Sequence, residues 1–252
     1  MKPYWSDESI ELYHGDWREH PGLLAGKRAD LIVTDPPYGE TNLPWDRWPD
    51  GWPSIAAGLA PAMWCWGSMR MLLDRRDDFA AWTFSQDVIW EKHNGTNLAR
   101  DRFSRVHEHA TLWYQGRWSD RYHETPTTPD ATARTVRKKA KPAQWIGATG
   151  PTMFTSIDGG PRLMRSVIYA RSMHGRAINE TEKPAPILEP LITYACPPGG
   201  LVLDLFAGSC STAVAARATG RRAVCFEVRE SQCEAAAGRL NQGVLDFGGE
   251  AS

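Results

Sequence analysis

The sequence predicts an α/β protein: a parallel sheet covered on both faces by helices, interrupted by an inserted segment. Three observations lead there. Residues 179–252 alternate apolar strand-like runs with helical segments over short connections, the pattern of strand–helix–strand units. Residues 1–116 also carry short apolar runs separated by helical or loop segments. Residues 117–178 are basic, rich in Pro, Thr and Gly and weakly periodic, which reads as an insertion or a long functional loop region. The expected organisation is one domain in two halves, 1–116 and 179–252, flanking an insertion at 117–178.

Each element has a local reason. The run 29–34 (ADLIVT) is short, apolar and β-branched, so it reads as a buried strand. Residues 62–66 (AMWCW), 87–90 (DVIW) and 110–114 (ATLWY) read the same way, and 166–169 (SVIY) is a further candidate. A helix is expected from Pro184, a favoured first-turn residue, to about Tyr194, ended by Pro197-Pro198-Gly199-Gly200. Leu201–Leu205 is a strand, Ser211–Ala218 an Ala-rich helix stopped by Gly220, Arg222–Phe226 a strand and 230–240 the last helix.

Composition bounds the function classes. The 252 residues suffice for one large core; 42% hydrophobic and 23% charged content are those of a soluble globular protein. No run of 18 apolar residues exists and the first residues have no apolar signal region, so the expectation is a cytoplasmic protein without a membrane span. The five cysteines, Cys65, Cys196, Cys210, Cys225 and Cys233, form no CxxC pair and read as reduced, mostly buried thiols with no zinc site. His107 and His109 share a strand face, but no third metal ligand is suggested, so no metal is expected. Residues 117–178 carry 11 Lys/Arg against 4 Asp/Glu, whereas the remainder carries 18 against 26. A basic segment in an acidic chain suits a polyanion-binding face, or is a solvated loop.

Two motifs carry chemistry. Asp35-Pro36-Pro37-Tyr38 directly follows the strand at 29–34. Two prolines can neither continue a ladder nor open a normal helical turn, and each pushes the residue before it to an extended conformation. The strand therefore ends in a stiff tip that presents a carboxylate, free carbonyls and an aromatic ring. The second motif, Phe206-Ala207-Gly208-Ser209-Cys210-Ser211, is a tight small-residue turn between a strand and a helix, where a ligand can approach the backbone. Glu227, at the end of the next strand, suits the two ribose hydroxyls of a nucleoside. The phosphate-cradling GxGxxG spacing is absent, and a ligand without phosphate does not need it.

S-adenosyl-L-methionine is such a ligand, and the whole constellation resembles the β-group of amino-methylating DNA methyltransferases. Asp204-Leu205-Phe206-Ala207-Gly208-Ser209 resembles that family's FxGxG cofactor motif. Thr181-Glu182-Lys183-Pro184 resembles its TxKP element, and Asp16 of His14-Gly15-Asp16 the aspartate placed near the cofactor adenine. Ile89–Lys92 and Val106–His109 match weaker landmarks. The order, DPPY first and FxGxG last, is also that group's. The resemblance implies a Rossmann-like S-adenosylmethionine-dependent methyltransferase sheet with an inserted target-recognition region, its first half catalytic and its last half cofactor-binding. It implies cofactor contacts from Asp16, Thr181, Lys183, Pro184, Asp204, Phe206, Ala207, Gly208, Ser209, Ser211 and Glu227. It departs from the family at Cys210, where a second glycine is usual; if that position needs φ > 0, cysteine there costs about 1 kcal/mol.

By the same resemblance Asp35 and the Pro36 carbonyl accept the two N–H bonds of an exocyclic base amine, Tyr38 stacks on the base and Pro37 holds the turn. Methyl transfer is then a direct in-line displacement. A base inside a duplex cannot reach such a tip, so it must flip out. Trp45, Trp48 and Trp52 follow the tip and either close over that base or pack the loop down. Arg134, Arg137, Lys138, Lys139 and Lys141 would meet the phosphates of double-stranded DNA. DPPY is the form usual for adenine N6; cytosine N4 on the same scaffold is the alternative, followed by RNA or protein amide methylation, a non-catalytic DNA-binding relic and a dehydrogenase. A homodimer and a cognate restriction nuclease are left open.

Overall fold

A computed structural model of the chain describes residues 2–24, 26, 28–96, 101–140, 150–173 and 182–242. Of the residues singled out above, Thr181 and Lys141 lie outside them. The chain forms two compact units, residues 1–124 with 166–252 and residues 125–165. The strands are β1 (Trp5–Ser6), β2 (Ile10–His14), β3 (Leu31–Thr34), β4 (Ala62–Gly67), β5 (Thr83–Thr96), β6 (Arg105–Tyr114), β7 (Thr127–Thr128), β8 (Arg134–Lys138), β9 (Thr152–Ser156), β10 (Arg162–Leu163), β11 (Val167–Tyr169), β12 (Leu201–Asp204) and β13 (Arg222–Glu227). The helices are α1 (Pro21–Leu24), α2 (Trp52–Ala56), α3 (Met69–Asp74), α4 (Ala185–Ala195), α5 (Ser211–Ala218) and α6 (Glu230–Asn241).

The larger unit is built on a nine-stranded sheet in the order β1-β2-β13-β12-β3-β4-β6-β5-β11. From β2 to β4 every neighbouring pair is parallel. The expected parallel sheet therefore continues into an antiparallel arm, β4-β6-β5, with β11 parallel to β5 at the edge. Strands β5 and β6 are longer than the apolar runs that announced them, because their outer halves are polar and half-exposed.

Side-chain alternation divides the core into two layers. Leu31 and Val33, Trp64 and Trp66, and Val202 point to the face covered by α4, α5 and α6, against Ile187, Leu191, Ala213, Ala216 and Leu240. Ile32, Met63, Leu203 and Phe226 point to the other, against Trp52, Met71 and Phe79. Each large apolar side chain so enclosed contributes about 1.5–3 kcal/mol of transfer free energy. The indole of Trp64 stays satisfied in the core by donating to the Leu191 carbonyl at 3.0 Å. Pro184 is extended and caps α4 rather than opening it, so the helix begins one residue later than its proline suggested.

β3 and β12 are adjacent although about 170 residues separate them, with Leu203 opposite Ile32. After β3 the chain continues to β4 on one side; after β12 it continues through α5 to β13 on the other. This is a topological switch point, where the loops leaving neighbouring strands diverge and open a crevice at the carboxyl ends.

Among its described residues the smaller unit buries few side chains and forms two antiparallel pairs, β7 with β10 and β8 with β9. Arg162 clasps Asp130, with Nε to Oδ1 at 2.9 Å, and Ala131 exchanges backbone hydrogen bonds with Gly159 and Gly160.

Candidate active site

The crevice at the switch point is lined on one side by Asp35, Pro36, Pro37 and Tyr38 and on the other by Phe206 to Ser209, with Glu227 and Arg229 at the next strand end. The two strand tips are tied together beneath it. Thr34 Oγ1 donates to Asp204 Oδ1 at 3.1 Å and accepts from the Leu205 N–H at 3.3 Å. Asp204 Oδ1 also accepts the Phe206 N–H at 3.2 Å.

At the first tip, the Tyr38 hydroxyl donates to Asp35 Oδ1 at 2.6 Å, and Lys183 Nζ pairs with Asp35 Oδ2. Lys183 in turn lies 3.2 Å from Glu108 Oε2, and Lys92 pairs with Glu108 Oε1. The strand period explains the meeting. On β4, β6 and β5, the residues Trp66, Glu108, Trp90 and Lys92 all fall on the face covered by α4, and Lys183 immediately precedes the Pro184 cap of that helix. The ammonium of Lys183 sits 5.2 Å from the Trp66 ring centre and that of Lys92 4.6 Å from Trp90.

The charges are set by these partners. Burial alone would raise the Glu108 carboxyl, but Lys183 and Lys92 overcome it and hold it at about 2. Burial raises the Asp35 carboxyl above the ordinary range, Glu108 adds to the rise, and Lys183 and the Tyr38 hydroxyl oppose it. Burial and then the Asp35 charge push the Tyr38 hydroxyl well above the ordinary phenol value, so it remains a donor. Burial pulls Lys183 down, but its two carboxylates outweigh that and raise it.

The second tip is a backbone device. Cys210, fully buried at the N-cap of α5, has φ 56° and ψ 30°, and it is the one non-glycine residue with positive φ among those described. Gly208 has φ 50°. The turn is held by Glu227, whose Oε2 accepts the Gly208 N–H at 2.8 Å while Oε1 accepts from the Arg229 N–H at 2.9 Å. Arg239 of α6 braces the same turn, bonding Glu182 at 2.7 Å and reaching Ser209 at 3.5 Å. Among the described residues Asp204 forms no ion pair. Burial raises its carboxyl to about 7 against the hydrogen bonds from Thr212, the Phe206 N–H and Thr34.

The remaining expected residues fall as follows. Asp35, Pro36, Pro37, Tyr38, Lys183, Asp204, Phe206, Ala207, Gly208, Ser209, Ser211 and Glu227 all line the crevice. Asp16 and Pro184 do not: Asp16 caps the turn at 17–19 and pairs with Arg18 at 2.6 Å, and Pro184 caps α4. Trp48 and Trp52 are core residues packed against Phe79; of the three tryptophans only Trp45 lines the crevice, 4.9 Å from the Arg229 guanidinium. That loop is organised by buried Asp46, which accepts the N–H groups of Gly39, Glu40 and Thr41 at 2.8, 3.0 and 2.7 Å. Arg134, Arg137, Lys138 and Lys139 are exposed on or beside β8. His107 and His109 stack edge to face at 5.3 Å, and among the described residues no group of three or more His, Cys, Asp or Glu is placed to hold a metal ion. All five cysteines are free and buried. Lys92 and Glu108 fall in segments that match only weak landmarks in sequence; their signal is two opposite charges on one face of neighbouring strands.

A mixed sheet with a crevice at its switch point, a DPPY tip and a small-residue turn defines a doubly wound α/β protein with a ligand site between two strand tips. Comparison with known proteins sharpens this. The family model described as DNA methylase, covering N6 and N4 enzymes, matches residues 29–238, and the chain belongs to that family. YubD of Escherichia coli (strain K12), a methylase by name, is 46% identical over 237 residues, 90% of this chain and 88% of its own. The type II methyltransferase M.ScaI of Streptomyces caespitosus is 26% identical over 264 residues, 95% of this chain and 84% of its own. The fold is shared with M1.HpyAVI in complex with SAM, at TM-score 0.62 and 20% identity over 92% of this chain and 100% of that one. It is shared equally with the cytosine-N4-specific PvuII DNA methyltransferase, at TM-score 0.63 and 16% identity over 99% and 91%.

Proposed function

We propose that this DNA methyltransferase transfers a methyl group from S-adenosyl-L-methionine to adenine N6 in double-stranded DNA, on a base flipped out of the helix. The observation that carries the reading is the meeting of the DPPY tip and the Phe206–Ser211 turn in one crevice. The lining suits a cationic, phosphate-free ligand: Asp35, Asp46, Glu108, Glu182, Asp204 and Glu227 face it, against Lys183 and Arg229. Gly208, Ser209 and Glu227 would hold the cofactor, with Phe206 and Trp45 offering apolar surface. Bound there, S-adenosyl-L-methionine would supply a methyl group activated by its sulfonium, with the neutral thioether as leaving group.

The chain's own part is to prepare the amine. Its lone pair is delocalised into the base ring, so it is a poor nucleophile. Asp35 and the Pro36 carbonyl accept its two N–H bonds and turn the lone pair out of the ring. The carboxylate then offsets positive charge growing on nitrogen, which is strongest in the transition state. The basic β8 strand of the smaller unit would meet phosphates, positioning the duplex without reading it.

The choice of adenine rests on the Asp in the first place of the tetrapeptide. The test is to incubate the protein with methyl-labelled S-adenosyl-L-methionine and unmethylated duplex, digest to nucleosides and identify the labelled one by mass spectrometry. N6-methyladenine is expected; N4-methylcytosine would overturn the base assignment, and unlabelled DNA would overturn the function.

A further inference from the structure

Lys183 stands in the crevice with the cofactor residues, yet its charge is directed at Asp35 and Glu108. We propose that Lys183, shared between Asp35 and Glu108, forms a charge clamp that fixes the Asp35 carboxylate and aims it at the target amine, Lys183 acting as a positioning residue and Glu108 acting through it. The inference rests on the methyl-transfer reading above and assigns these residues a part in it.

The geometry has three parts. First, the Asp35 carboxylate is held at both oxygens, Oδ1 by the Tyr38 hydroxyl at 2.6 Å and Oδ2 by Lys183. Each carboxylate oxygen accepts more than one hydrogen bond, so the held group retains acceptor sites for an amine while losing its freedom to rotate. Tyr38 therefore also orients Asp35, besides offering its ring. Second, the charges alternate along Asp35, Lys183, Glu108 and Lys92, each in ion-pair contact with the next. An ammonium given wholly to Asp35 would compete with the substrate for its lone pairs; sharing it with Glu108 moderates that pull. Third, the ammonium has little room to wander: the Lys183 side chain is 6% exposed and sits over Trp66. Buried charges persist only when paired this closely.

The groups facing Asp35 from the packed elements are Tyr38 on its own tip, Cys65 on β4, Glu108 on β6, Asp204 on β12 and Lys183 before α4, with Lys92 of β5 behind Glu108. Among them Lys183 favours the ionised form of Asp35 and Glu108 opposes it. The two substitutions should therefore move the acid limb of the kcat–pH profile in opposite directions.

The experiment measures kcat against pH and the S-adenosyl-L-methionine Kd for the wild-type chain, Lys183→Met, Lys183→Arg and Glu108→Gln. Lys183→Met should move the acid limb up and lower the plateau about ten- to hundredfold. Lys183→Arg should return the limb toward wild type, and Glu108→Gln should move it down. Cofactor Kd should stay within about threefold throughout, which also reports that each variant is folded. A Lys183→Met enzyme with an unmoved limb and weakened cofactor binding would make Lys183 a cofactor ligand and overturn the clamp. Shifts of the same sign for Met and Gln would overturn it too. Absence of methyl transfer by the wild-type chain would instead sink the methyl-transfer reading, and the clamp with it.

Discussion

Glu108, half-buried, and Asp204, buried, are carboxylates beside the same crevice, yet they are driven to opposite ends of the scale, about 2 and about 7. Burial pushes both upward. The difference is in the partners: two lysines at Glu108, and at Asp204 hydroxyl and amide dipoles, with the Asp35 charge adding to the rise. The contrast separates the two loops that leave β3 and β12. The first is stiffened by prolines and surrounded by fixed charge, as stabilising a developing cation requires. The second is shaped by positive-φ backbone at Gly208 and Cys210 and held from outside by Glu227 and Arg239, which leaves its main chain open to close approach. One topological position, used twice, serves electrostatics on one side and shape on the other.

The largest effect should come from the apolar floor that supports the first loop. Trp52 is fully buried between Trp48, Phe79 and Phe206, so Trp52→Ala should cost about 3–5 kcal/mol and lower the melting temperature sharply. Trp45→Ala should leave the melting temperature near wild type and weaken cofactor or base binding instead. Thermal melts of the two variants check the difference, and equal losses would mean that Trp45 is also structural.

The carboxylates sharpen the comparison through pH. The raised Asp204 makes the native state bind more protons than the unfolded one between its ordinary value and about 7, so its contribution to stability is lost as pH rises through that window. Asp204→Asn should flatten that decline in a series of melts. Glu108 has the opposite sign. Its depressed value contributes stability above the ordinary carboxylate range that is lost as pH falls toward about 2, so Glu108→Gln should be least harmful in acid. Matching pH slopes for the two variants would contradict the assigned charges.

The smallest effect tests the second loop. Cys210 sits at φ 56°, where a side chain costs about 1 kcal/mol that glycine avoids. Both Cys210→Gly and Cys210→Ala lose the buried thiol, but only glycine relieves the backbone. Cys210→Gly should therefore be the more stable by about 1 kcal/mol, the reverse of ordinary helix preference. Denaturant unfolding of the pair checks the order.

Much of this was legible in sequence. The strand at 29–34 and the units from 201 onward declared themselves because their apolar runs are short, continuous and bounded by Pro or Gly. DPPY and the Phe206–Ser211 turn were legible because their chemistry is local. The antiparallel arm was not, since β5 and β6 are long, half-exposed strands in which only the inner residues are apolar. Trp48 and Trp52 could be read as lid or core because an aromatic residue looks the same in either place until its neighbours are known. The clamp was illegible for the same reason: Asp35, Lys92, Glu108 and Lys183 meet only through strand pairing across about 150 residues of chain.

The most direct measurement is methyl transfer and cofactor affinity side by side for the wild-type chain and Asp35→Ala. If the first loop does the chemistry and the second holds the cofactor, Asp35→Ala should lose about a thousandfold in transfer while its S-adenosyl-L-methionine Kd stays close to wild type. Transfer that survives the substitution, or cofactor binding that is lost along with it, would contradict that division.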